Sequence, residues 1–275
     1  MTANFYTVLK QAVSDLIEHG FDSTERVADW VRRLKAASRE ALMPEHEMEE
    51  QLRKAFDGDY ERLIGDFGIL KYHPEVSRFT VERLKPQLRA EHDRRRIAAR
   101  NLIKLNRTAM VEKIDQKFSG WASSIPPGGI REPGARKKAK DQIRSPLKSL
   151  PFQERRVFID QSHKFVANLN NIIATDAGAI AAEWHSRFRV PGYQYREDHK
   201  DRDGRIYAIR GNWAMDKGLM KVGPAGYLDE ITQPGQEVFC RCTNHFLYSL
   251  RRLPQEMVTE KGRSELQRVA AAIGG

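Results

Sequence analysis

The stretch WHSRFRVPGYQYREDHKDRDGRIYAI at 184–209 and its sequel PGQEVFCRCTNHFLYSL at 234–250 decide how this chain is read. Upstream of them the apolar residues recur every three or four positions; within them that spacing gives way to short alternating segments. Strands are therefore expected over 184–190, 193–197, 205–209 and 238–250. The preceding stripe Val157, Phe158, Phe165, Leu169, Ile172 and Ile173 predicts a helix over about 154–182. A helix packed on a small antiparallel sheet would bury both patterns.

The only two cysteines of the 275 residues are Cys240 and Cys242, and three readings of them are open. A disulfide between them would close a very small ring and strain the bridge. A metal site would draw on thiolates and imidazoles, with His199, Cys240, Cys242 and His245 as a candidate ligand set and zinc as the ion such donors take. The third reading, preferred because the spacing is not that of the common zinc modules, is a pair of reduced thiols packed as small hydrophobes on one face of a strand.

His199 to Gly204 has oxygen-bearing residues at alternate positions and a glycine, but His199 and Arg210 stand where a calcium loop needs Asp and Glu. The run is read as a hairpin in which Asp203-Gly204 joins the strands at 193–197 and 205–209. The competing reading is a nuclease, with His199 as general base and Asp201 or Asp203 on a divalent ion.

The C-terminal stretch resembles the head morphogenesis family of tailed phages, the Mu F-like minor head proteins. The residues that carry the likeness are the helix at about 154–182, Trp184, His199, Asp203-Gly204, and the closing Pro234-Gly235-Gln236-Glu237-Val238-Phe239-Cys240-Arg241-Cys242. Somewhat less than half the chain is covered, and the closing motif is its specific part. The resemblance implies a virion protein, made in the host cytoplasm, that acts in head assembly beside the portal or capsid and the packaged or ejected genome. It implies a non-enzymatic role; a metal-dependent hydrolase using His199 is the alternative.

The net charge of +10 sits in two windows. Residues 82–107 carry a net +6 and residues 131–150 a net +5, which leaves the remainder close to neutral. Arg94, Arg95, Arg96, Arg100 and Lys104 in the first, and Arg136, Lys137, Lys138 and Lys140 in the second, are candidate contacts to double-stranded DNA. Few aromatics accompany them, so contact is expected to be non-specific and salt-sensitive. No apolar run reaches the ~20 residues that cross a bilayer, and the first residues read as an amphipathic helix rather than a signal peptide. Paired cysteines alone do not form a disulfide framework.

The N-terminal half reads as helical. Phe5, Leu9, Ala12, Val13 and Leu16 share a stripe closed by Gly20. A second helix is expected from near Asp22–Glu25, a third from Pro44 with a break near Asp57-Gly58, and a long fourth from Pro86 to about Gly120. The run IPPGGIREPG at 125–134 reads as an exposed linker leading into a basic arm. The expected organisation is thus α+β: a helical domain at 1–121, a linker at 122–150, an α+β domain at 151–250 and a tail at 251–275, in which Ser264 to Ile273 reads as a short helix or a frayed end.

Overall fold

The computed structural model describes residues 2–273. The fold is α+β, with a helical N-terminal half followed by a C-terminal helix and a small three-stranded antiparallel sheet. The helices are α1 (Thr2–His19), α2 (Thr24–Glu40), α3 (Glu45–Ile64), α4 (Asp66–Tyr72), α5 (Arg78–Ala122), α6 (Ala135–Ile143) and α7 (Ser145–Asp176), then the short α8 (Glu197–Asp201), α9 (Trp213–Asp216) and α10 (Glu260–Ile273). The strands are β1 (Ala181–His185), β2 (Ile206–Ala208) and β3 (Thr243–Leu247). None of the described helices is long and apolar enough to cross a membrane.

The chain divides into two compact units, Met1–Arg53 with Ala98–Phe158, and Lys54–Ile97 with Ile159–Gly275. These limits differ from the expected boundaries at 121 and 150, because the long helices α5 and α7 each run past a unit limit.

The first unit is a helical core. Phe5, Leu9, Val13 and Leu16 of α1 meet Val27 and Leu34 of α2, Ile114 and Phe118 of α5, and Ile143 of α6. The turn between α1 and α2 follows from two residues. Gly20 takes φ +74°, and a β-carbon there would come 2.7 Å from the Pro126 carbonyl; Ser23 caps α2 by accepting the Arg26 N–H at 3.2 Å. The indole of Trp30 donates to Asp15 at 2.7 Å and ties α2 to α1.

Several helix limits depart from expectation. The segment 122–150 is not an exposed linker: it carries α6, and Ile125, Ala139, Ile143 and Leu150 are buried in the first unit's core. Its Pro and Gly residues supply only the turn ahead of α6. Helix α3 runs through Gly58, with Phe56, Tyr60 and Leu63 buried around it, so packing outweighs the ~1 kcal/mol helix penalty of a glycine. The break falls at Gly65 instead. Helix α5 starts well before Pro86, where Ser77 accepts the Thr80 N–H. Pro86 is exposed while Val81, Leu84 and Leu88 are buried.

In the second unit the sheet order is β2-β1-β3, both pairs antiparallel. Alternation along the strands splits the core in two, as a period of two requires. Ala181, Ala208 and Leu247 pack with Met257 and Val258, whereas Ala182, Trp184, Tyr207 and Phe246 pack with Ala174, Cys240 and Cys242. The sheet is smaller than expected. α7 ends at Asp176, ahead of the expected limit near 182, and the following residues enter β1. Residues 193–196 form no strand and His199 lies on α8, so the expected hairpin is absent; the Asp203-Gly204 turn remains, with Gly204 at φ +75°. Only 243–247 of the expected last strand pairs. Beyond residue 250, Leu253, Met257 and Val258 are buried, and the helical alternative for Ser264–Ile273 holds, within α10.

Candidate metal centre

The centre lies within the second unit. Cys240 and Cys242 are free thiols, both buried, and they do not lie on a strand. Phe239 takes φ +61°, the one described non-glycine residue at positive φ, and the Cys240 N–H closes a turn onto the Glu237 carbonyl at 3.2 Å. This reversal replaces the strand geometry that alternation suggested, and it aims both sulfurs at one imidazole. His199, 1% exposed, presents Nδ1 at 3.6 Å from Sγ of Cys240 and 3.6 Å from Sγ of Cys242. A tetrahedral ion about 2.3 Å from sulfur and about 2.05 Å from nitrogen needs an S···N edge of roughly 3.6 Å. Both S···N separations therefore match that edge, and the three donors, all within 4.8 Å of one another, form the one such group among the described residues.

The opposite face of the imidazole is also occupied. Nε2 lies 3.2 Å from Oε2 of Glu237, and Arg196 places Nε 2.7 Å from the same oxygen. A carboxylate behind a metal-binding histidine fixes ring orientation and raises ligand basicity. The Trp184 ring packs edge-on against His199, centroids 5.3 Å apart.

The turn that carries the sulfurs is pinned from several sides. Asp160 of α7 accepts the Phe239 N–H at 2.6 Å. The Tyr193 hydroxyl donates to the Phe239 carbonyl and accepts the Arg241 N–H, both at 3.1 Å. Arg196 donates to the Val238 carbonyl at 3.0 Å. Gly235, at φ +81°, lets the chain run against α7: a β-carbon there would lie 3.1 Å from Cβ of Ala167.

The two thiols do not share one acidity. Cys240 is pushed down to about 5, chiefly by the hydrogen bond from the Cys242 thiol, with backbone N–H donors and His199 adding to it. Cys242 is pushed up, first because it donates that bond and then by burial. Such a pair holds one thiolate ready and one proton for an incoming cation to displace.

His245 does not complete the set. It is exposed on β3, its ring 3.9 Å from that of His185, because His245 alternates to the sheet face opposite Phe246, the residue that packs with Cys240 and Cys242. Asp201 and Asp203 lie outside the donor group. Asp203 accepts the Ser186 N–H at 2.7 Å and faces Arg189.

Of the resembling motif, Trp184, His199, Cys240 and Cys242 form the centre and its wall. Gly204 donates its N–H to the Trp184 carbonyl at 2.8 Å, Pro234 and Gly235 turn the chain, and Arg241 is exposed. Sequence reasoning missed Glu237, Tyr193, Arg196 and Asp160 as supports. Glu237 stands inside the closing motif, whereas nothing local marks Tyr193.

The first basic window is heavily paired. Arg94 and Arg95 bind Glu91, Arg96 lies 3.6 Å from Asp93, Arg100 lies 3.1 Å from Glu49, and Lys104 pairs with Glu45. In the second, Arg136 pairs with Glu18 at 2.8 Å, while Lys137, Lys138 and Lys140 have no acidic partner among the described residues. Comparison of the chain with family models, curated proteins and solved structures gives no match.

Proposed function

We propose that the chain is a minor head protein of a tailed phage, and that its C-terminal unit is a zinc-held module. The observation that carries the reading is the convergence of His199, Cys240 and Cys242, three residues of the resembling motif, onto one buried donor set. The ion's part is structural: it would cross-link α8 to the Cys-Arg-Cys turn. In this reading the module acts in head assembly beside the portal or capsid, and lysines of the helical half contact the genome during packaging or ejection.

The hydrolase alternative has less support. His199 is 1% exposed, with Nδ1 turned to the two sulfurs and Nε2 toward Glu237, so the ring is closed off from a substrate whose proton it would have to take.

The test is a null allele in the phage or prophage that carries the coding sequence. The expected result is that the chain is detected in purified heads and that null particles are non-infectious, with rescue in trans. Purified heads that lack the chain, together with full infectivity of the null, would sink the reading.

A further inference from the structure

The sequence puts two basic windows on the chain, but the structure treats them differently. In the first, each candidate cation faces a carboxylate. In the second, α6 buries Ala139 and Ile143 and leaves Lys137 exposed and Lys140 half-buried, one turn apart. Within the first unit, these two lysines, Lys10 and Tyr6 of α1, and Arg144 and Asp141 line a cleft of about 300 Å³ between α1 and α6.

Lys10, Lys137 and Lys140 have no acidic partner among the described residues. Arg144 pairs with Asp141, and its guanidinium lies 5.9 Å from the Tyr6 ring centroid. Its Nε is buried without a hydrogen-bond partner. Four cations thus face one carboxylate. Like charges one helical turn apart cost stability, so the arrangement stores a repulsion that an anion would relieve.

We propose that this cleft binds a phosphate group, and that its source is the backbone of double-stranded DNA. The lysines and the Arg144 guanidinium that line the cleft supply the charge, and their N–H groups are the donors to phosphate oxygens. Bases are not read, so binding is independent of sequence. This deepens the genome-contact part of the proposed function and rests on that part alone.

The test compares two variants of the full chain, each with three fewer positive charges: Lys10→Gln/Lys137→Gln/Lys140→Gln in the cleft, and Arg96→Gln/Arg100→Gln/Lys104→Gln in the paired window. Anisotropy of a labelled duplex is read across a salt series, with thermal melts to confirm both folds. Every phosphate that a variant no longer neutralises lowers the log–log salt slope by about 0.9. The cleft variant is expected to lower it by roughly two to three, and the control to leave it nearly unchanged. An equal drop in both variants would mean bulk charge alone, and no drop in the cleft variant would mean another surface; either overturns the proposal. A second arm follows phosphorus NMR of inorganic phosphate. Broadening that requires the cleft lysines, without any change in the DNA slope, would assign the cleft to free phosphate and overturn the DNA assignment. Head incorporation of the cleft variant is scored separately, so failure of the cleft is distinguishable from failure of the virion role.

Discussion

Nδ1 of His199 and Sγ of Cys240 lie 3.6 Å apart although 41 residues separate them in sequence. The same approach to Cys242 joins α8 to the Cys-Arg-Cys turn. Both the groups that hold this junction and the structure it supports are open to measurement.

If Glu237 orients the imidazole, Glu237→Gln should leave the fold intact and weaken zinc affinity by about 10–100-fold. Competition with a chromophoric chelator measures this. Unchanged affinity would show that Glu237 serves only Arg196.

If the ion cross-links the second unit, a strong chelator should lower thermal stability. Zinc at a hundred times its dissociation constant contributes about 2.7 kcal/mol. The melt should recover on adding zinc, and a chelator-insensitive melt would contradict a structural ion.

Gly235→Ala puts a β-carbon at positive φ and within 3.1 Å of Ala167. The left-handed conformation alone costs about 1–2 kcal/mol for a residue with a side chain, and the crowding adds to it. Denaturant midpoints should fall accordingly, and the turn presenting Cys240 and Cys242 should hold its ion less tightly. An unchanged midpoint would mean that the turn relaxes freely.

His73 is buried, with Nδ1 3.1 Å from the Tyr248 hydroxyl and Nε2 3.0 Å from Oδ1 of Asn170. Burial pushes its pKa below the ordinary imidazole value. The folded chain therefore resists a proton that the unfolded chain accepts. Stability from this group is complete above about 6.5 and declines as pH falls through that value toward the lowered folded one. Urea melts should show the decline, reduced in a His73→Gln variant. A decline of equal size in that variant would exonerate His73.

Incubation with duplex DNA and a panel of divalent ions should give no cleavage. Cleavage that disappears in His199→Ala while the fold survives would establish the hydrolase reading instead.

Much of the fold is legible in the sequence where periodicity is long. The α1 stripe and its closing Gly20 are readable because a helix repeats its pattern over several turns. The members of the donor set, His199, Cys240 and Cys242, are readable as residue types. Their geometry is not, because it depends on one left-handed residue, Phe239, and on a five-residue helix, α8, too short to show a period. Alternation around Cys240 imitates a strand. At 122–150 the breaker residues hide Ile125 and Ile143, whose burial depends on α1 and α5 rather than on neighbours in sequence. The paired state of Arg94 to Lys104 is equally out of reach, since Glu45 and Glu49 come from α3.

The most direct test of the metal centre is elemental mass spectrometry of the full chain, purified without a histidine tag or added metal, beside Cys240→Ser/Cys242→Ser. The expected result is about one zinc per chain, held by His199, Cys240 and Cys242, and none in the double variant. A metal-free chain that stays folded and takes up no zinc on reconstitution would contradict the zinc-held module.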